Sequence, residues 1–281
     1  MARTSVVTTP MLARVWKKRI SWLARASGLR RITLLRWLYH RLLYMTLPDR
    51  DMTVPCHGLQ MLVRNPRTST ASMAIYLTGV WEDAATRLVS SEVAEGMIAL
   101  DVGASDGYYT LLMSQLVGAG GHVFAFEPLP TDKGRLDRNI SVNGLGNVTT
   151  CRSALFDRNA TACLEVSNTR LAAAQLAPLE STVPVETRIF DDWRRDTGVA
   201  RVDFVKVDVE GAEMNVLRGM TSTLESDRPM LLVEVHPTHL STFDSSPRQL
   251  VRFVSELGYQ IKPVDKDTIE FSEGNSTLFC H

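Results

Sequence analysis

From residue 97 onward the chain alternates short apolar runs with stretches of helical periodicity, and this alternation admits few architectures. Met97-Ile-Ala-Leu-Asp-Val102, His122-Val-Phe-Ala-Phe-Glu127, a run near 147–151, Asp203-Phe-Val-Lys-Val-Asp208 and Met230-Leu-Leu-Val-Glu-Val235 read as buried strands. Between them, the spacing predicts helices over 107–117, 131–142, around 191–195 and over 212–224, where Met214, Leu217 and Met220 fall in phase. Glycines 118, 120 and 121 stop the first helix, and Pro128 and Pro130 close the second strand. Residues 183–189 read as strand-like, residues 247–257 as a helix, and residues 258–264 and 268–280 as two last strands. Strands and helices in alternation predict an α/β domain, a parallel sheet covered by helices.

In an open sheet of this kind, ligands bind beyond the carboxyl ends of the strands. The residues there are Asp101 with the loop to Gly107, Glu127, Ser153 and Ala154, residues 208–211, and Glu234 with His236. Gly103 permits a tight turn and a close approach of backbone to ligand, and Gly107 opens the following helix. The Gly-x-x-x-Gly spacing lacks the third glycine of a dinucleotide fingerprint. The loop also carries Asp101 and Asp106, where a pyrophosphate cradle carries no acids. Glu127, 26 residues after Asp101, stands where an acid accepts hydrogen bonds from both hydroxyls of a ribose. An acidic loop beside a ribose-binding acid suits an adenosine ligand without phosphates. S-adenosylmethionine is one, and its sulfonium is positive.

Four segments occur in order: Asp101-Val-Gly-Ala-Ser-Asp-Gly-Tyr-Tyr-Thr110, Val123-Phe-Ala-Phe-Glu-Pro128, Val205-Lys-Val-Asp-Val-Glu-Gly-Ala-Glu213 and Leu232-Val-Glu-Val-His236. Together they resemble the FkbM family of S-adenosylmethionine-dependent methyltransferases. Asn139 and Asn143 fit that family's helix after the second strand, and Gly79-Val-Trp-Glu82 is similar to its upstream Gly-x-aromatic-Glu element. The resemblance covers roughly residues 55–262 and implies a Rossmann-like methyltransferase sheet of seven strands, mostly parallel with the last antiparallel and with helices on both faces. It implies O-methylation of a hydroxyl on a saccharide, glycolipid or polyketide-type product. By residue, it places Asp101, Gly103, Ala104 and Gly107 at the methionine end of the cofactor, Glu127 at the ribose, Ser153 and Ala154 near adenine, and Asp208 beside the transferring methyl. Asp106, Tyr108 and Pro128 complete the implied cofactor set.

Methyl transfer to an alcohol needs alignment and help with the proton. His236, at the end of the fifth parallel strand, is the preferred base, because a neutral imidazole near pH 7 accepts a proton. Asp208 and Glu210 complete the catalytic set. Glu213, at a helix start, is assigned to the helix dipole. A divalent cation held by Asp208, Glu234 and His236 is the less favoured route to the same activation. Two further functional readings stay open: a nicotinamide-dependent oxidoreductase, opposed by the missing glycine, and a catalytically silent membrane adaptor. The segments 157–182 and 237–247 are expected to shape the acceptor pocket.

Charge divides the chain. The totals cancel at 31 basic and 31 acidic residues, yet residues 1–50 hold eleven Lys/Arg against Asp49 alone, leaving 20 basic and 30 acidic residues in 51–281. A basic helical extension over 1–50 and a methyltransferase domain over 51–281 are the expected parts. Residues 11–25 place Leu12, Trp16, Ile20 and Leu23 on one helical face and Arg14, Lys17, Lys18 and Arg25 on the other. With the apolar face continuing over 30–46, residues 11–47 read either as helices capping the domain or as a peripheral contact with an anionic membrane. Nucleic acid is an unsuited partner for the acidic domain behind the arm. Cys56, Cys151, Cys163 and Cys280 form no Cys-x-x-Cys pair, and no apolar run is long enough to span a bilayer. The expected location is cytoplasmic, with peripheral membrane contact as the second reading; the oligomeric state is not readable.

Overall fold

The computed structural model describes residue 41 and residues 44–165, 170–172, 182–264 and 275–281. The predicted helix over 11–25 and most of that over 30–46 lie outside the described residues; 41 and 44–46 are helical, with Tyr44 and Met45 exposed. The chain divides into two compact units, Met1–Glu82 and Asp83–His281. Among the described residues, no helix is long and apolar enough to cross a membrane.

In the first unit, β1 (Met52–Cys56) and β2 (Leu59–Val63) form an antiparallel hairpin. Its two-residue turn places both His57 (φ 51°) and Gly58 (φ 76°) in the left-handed region, the requirement of a turn whose twist matches the strands. Helix α1 (Thr70–Thr78) follows, capped by the Ser69 hydroxyl, which accepts from Ser72 N at 3.2 Å.

The second unit is built on a seven-stranded sheet. In chain order its strands are β3 (Ile98–Val102), β4 (His122–Phe126), β5 (Val148–Cys151), β10 (Phe204–Val207), β11 (Met230–Val235), β12 (Ile261–Pro263) and β13 (Ser276–Cys280). Their spatial order is β12-β13-β11-β10-β3-β4-β5, with β13 antiparallel to both its neighbours and every other pairing parallel. This is the predicted sheet. Side chains alternate between its faces. Phe124 and Phe126 pack on Trp193 of helix α5 (Phe190–Thr197), while Ala125 packs on Leu136 of helix α4 (Pro130–Val142). Both faces are therefore covered by helices.

Two features differ from the periodicity. Residues 182–188 are a strand, but in a separate four-stranded sheet of order β6-β9-β7-β8. Its members are β6 (Ser153–Leu155), β7 (Ala160–Glu165), β8 (Arg170–Ala172) and β9 (Thr182–Arg188). The chain leaves the main sheet at Arg152 and enters this second sheet at once. The helix expected over 212–224 is also two helices, Glu213–Gly219 and Thr221–Ser226, broken at Met220. Gly219 lies so close to the Phe156 carbonyl that a Cβ would stand 2.1 Å from its oxygen, so the first segment docks by backbone at its end. Apolar phase alone does not report that contact.

Asp227 ties the second of these helices to the strand that follows Val202. Its carboxylate accepts from Val202 N at 2.8 Å and Ser226 Oγ at 2.8 Å and pairs with Arg194 Nη2 at 2.9 Å. Burial works against the charged form, but these donors outweigh it and hold the carboxyl below its ordinary value. The stabilisation is therefore present above the unfolded-state pKa of about 4 and is lost as pH falls through the lower folded value. Asp227→Asn should cost about 1–3 kcal/mol at neutral pH. Urea midpoints of variant and parent should converge on acidification below about pH 4; a gap independent of pH would exclude the carboxylate as the cause.

Candidate active site

The chain runs outward from β3 through β4 to β5, then returns to the other side of β3 for β10 and β11. That reversal makes the carboxyl ends of β3 and β10 the switch point where a crevice opens. Asp208 N donates to Val102 O at 3.0 Å, binding the two ends together. Gly103 (φ 84°) packs against the same segment so tightly that a Cβ would stand 1.8 Å from the Asp208 carbonyl oxygen. The Phe126 carbonyl accepts from both Gly103 N and Ala104 N at 3.0 Å, and Asn139 Nδ2 donates to Asp106 O at 2.7 Å. The loop is thus pinned to β4 and to α4.

Glu127 is buried at the end of β4. Its Oε2 accepts from Ser105 N and its Oε1 from Leu129 N, each at 2.8 Å. These amides fix the carboxylate's orientation. The crevice is lined by Val102, Gly103, Ser105, Phe126, Glu127, Pro128, Asp132, Ser153, Ala154, Leu155, Leu164, Asp208, Val209 and Glu210. It contains about 760 Å³ of space, open mouth included, which suits a small-molecule ligand.

Behind the loop lies a buried charged row. Asp101 is opposite Lys206 in the β3–β10 register. Asp101 Oδ2 accepts from Thr110 Oγ1 at 2.5 Å, while Oδ1 finds no hydrogen-bond donor among the described residues. Burial pushes the Asp101 carboxyl up, and the Lys206 ammonium opposes that shift. Lys206 Nζ sits 3.1 Å from Asp208 Oδ2 and 4.7 Å from the centre of the Tyr109 ring.

Four carboxylates converge on His236, which is 2% exposed. Its Nδ1 is 2.6 Å from Glu213 Oε1, and the Glu213 side chain is wholly buried. Its Nε2 faces Glu210 Oε2 at 3.5 Å, Glu234 Oε1 at 3.6 Å and Asp208 Oδ1 at 3.9 Å. The His239 ring stacks parallel at 5.7 Å, with Nδ1 3.1 Å from Glu210 Oε2. Gly211 (φ 111°) allows this packing, since a Cβ there would stand 2.6 Å from His239 Cβ. Burial disfavours the imidazolium, but the hydrogen bond and charge of Glu213, followed by the charges of Asp208 and Glu210, push the His236 pKa up to about 9. The neutral imidazole expected at pH 7 overlooked this convergence of acids.

Of the residues singled out from the sequence, Gly103, Glu127, Pro128, Ser153, Ala154, Asp208 and Glu210 line the crevice. Asp101, Ala104, Asp106, Gly107 and Tyr108 are not among its lining residues. The Tyr108 hydroxyl lies 3.1 Å from Thr86 Oγ1, and Gly107 (φ 92°) opens helix α3 (Tyr108–Val117) against Leu136. His236 and Glu234 do not line the crevice but adjoin Asp208 and Glu210, which do. Sequence reasoning missed Asp132 and Lys206; Ser105, Val209 and Leu164 fell inside segments it marked but were given no role of their own. It also gave Glu213 to the helix dipole, whereas its carboxylate orients His236. A signal existed for Lys206, a lone charge inside an apolar strand. For Leu164 the signal reached only its segment, 157–182; that this residue lines the crevice depends on the second sheet.

A family model described as the methyltransferase FkbM domain matches residues 101–261. The hexuronic acid methyltransferase AglP of Haloferax volcanii is 30% identical over 183 residues, covering 64% of this chain and 72% of that protein. The 2-O-methyltransferase NoeI of Sinorhizobium fredii is 28% identical over 149 residues, covering 47% of this chain and 60% of that protein. With that domain spanning the loop after β3, Glu127, the Asp208–Glu213 run and His236, the chain belongs to the FkbM family of S-adenosylmethionine-dependent methyltransferases.

Proposed function

We propose that this protein transfers a methyl group from S-adenosylmethionine to a hydroxyl of a saccharide-type acceptor. The observation that carries the reading is the acidic crevice at the switch point, with an amide-oriented Glu127 at one side and Asp208 and Glu210 at the other. Such a lining repels a pyrophosphate and accepts a ribose and a cation, which weighs against the nicotinamide alternative. The names of the two relatives support a hydroxyl on a sugar-like acceptor.

Bound S-adenosylmethionine supplies an electrophilic methyl carbon on a positively charged sulfur. Glu127 would accept hydrogen bonds from the ribose hydroxyls, Ser153 and Ala154 would hold the adenine end, and the loop from Asp101 to Gly107 would hold the methionine end. Asp208 stabilises positive charge next to the reacting centre. The acceptor oxygen must align with the carbon–sulfur bond as it attacks. The proton it loses passes to the Asp208–Glu210–His236 cluster, where a positive ligand also favours release of the proton that His236 holds.

Calorimetry should show S-adenosylmethionine binding and no comparable affinity for NAD. Glu127→Ala removes a charged acceptor for two hydroxyls and should weaken binding about 10–100-fold. NAD bound in preference would sink the proposal. Transfer of labelled methyl to a panel of neutral and uronic saccharides tests the acceptor class; S-adenosylmethionine binding without transfer to any of them would overturn that part.

A further inference from the structure

We propose that Asp208, Glu234 and His236 form a divalent-cation site beside the crevice, with Glu213 as the buried carboxylate that orients the histidine. The inference deepens the methyltransferase reading by adding a component to its proton-handling cluster. Each of the three residues offers a ligand atom within 4.8 Å of the others.

The two nitrogens of His236 are treated differently, and that difference points to an ion. Nδ1 is in hydrogen-bond contact with Glu213 at 2.6 Å. Nε2 belongs to the same 2%-exposed ring and makes no hydrogen bond to any described residue, although three carboxylates surround it at 3.5, 3.6 and 3.9 Å. A protonated nitrogen among acids closes to about 2.7–2.9 Å on one of them. Ligands about 2.1–2.4 Å from a common ion, at angles of about 90–120°, are instead about 3–4 Å apart. The spacing around Nε2 is that of a coordination edge.

The neighbouring contacts orient two of the ligands. Lys206 engages Asp208 through Oδ2, so Oδ1 is the oxygen turned toward His236. Asn275 Nδ2 donates at 3.0 Å to Glu234 Oε1, the oxygen that faces Nε2, and steadies it there; a carboxylate oxygen has a second lone pair for an ion. Glu213 holds the proton on Nδ1, so a cation that displaces the proton of Nε2 meets its lone pair inside the cluster, the arrangement by which a second carboxylate supports a metal-bound histidine. One imidazole with two carboxylates suits Mn²⁺ or Mg²⁺ and leaves positions for water or acceptor oxygens. With His236 as a ligand, Glu210 is the group left to receive the acceptor's proton.

Mn²⁺ is the probe. The full chain, stripped with a chelator and dialysed, should bind one Mn²⁺ saturably by calorimetry and by loss of the free-ion electron paramagnetic resonance signal. Glu234→Gln and His236→Ala should each weaken binding at least about 10-fold, and Glu213→Gln about 10–100-fold. Thermal melts identify variants that unfold, and Glu234→Gln, at a half-buried position, serves if His236→Ala does. Absence of saturable Mn²⁺ binding by the folded parent overturns the site, as does binding unchanged in folded Glu234→Gln. S-adenosylmethionine affinity is measured on the same stripped sample. Retained cofactor binding without Mn²⁺ binding overturns the cation site alone, whereas loss of both also removes the methyltransferase reading.

Discussion

Replacing His236 with alanine should lower methyl-transfer turnover about 10²–10⁴-fold while changing S-adenosylmethionine affinity only a few-fold. The split follows from position. His236 stands behind Asp208 and Glu210, away from the residues that line the crevice, so it acts on the acceptor's proton rather than on cofactor binding. The loss is expected whether Nε2 receives that proton or holds a cation that acidifies the hydroxyl. Alanine also leaves the buried Glu213 carboxylate without its imidazole partner, a cost of about 3–5 kcal/mol. His236→Asn separates the two effects, because its amide can still donate toward Glu213 but cannot serve as base. A folded asparagine variant with parental turnover would remove His236 from the chemistry.

Gly103→Ala should destabilise the second unit by more than about 3 kcal/mol and abolish measurable cofactor binding. The methyl group would overlap the Asp208 carbonyl oxygen at 1.8 Å, and that oxygen is backbone with no rotamer to yield. Relief requires the ends of β3 and β10 to part, which breaks the Asp208 N to Val102 O bond and opens the crevice floor. Gly144→Ala is the control, since Gly144 also has positive φ, at 61°, but nothing lies within 4 Å of its Cβ position. It should cost only about 1 kcal/mol. Equal urea midpoints for the two variants would show that the close approach of β3 and β10 does not hold.

Much of the second unit was legible as pattern. Runs such as Ile98–Val102 and Met230–Val235 announce themselves because a strand buried on both faces must be apolar throughout. Gly103 and Glu127 follow from their places just after such runs. The second sheet was less legible: β6 has only three residues and β8 three, too few for any period to show. Lys206 was visible as an anomaly, but its pairing with Asp208 and its place opposite Asp101 depend on strand register.

What the sequence by itself determined was the order of elements and which residues stand at the ends of the parallel strands. Both follow from periodicity and turn chemistry, which act over a few neighbouring residues. The tertiary structure alone decided that Glu213 and His236, 23 residues apart, share a hydrogen bond, and that the acids following β10 and the acid of β11 converge on one imidazole. The reason is physical: adjacent parallel strands bring together residues that the chain keeps distant, and the resulting charge, not the residue type, sets what the histidine does. The close seat of Gly103 on Asp208 has the same origin.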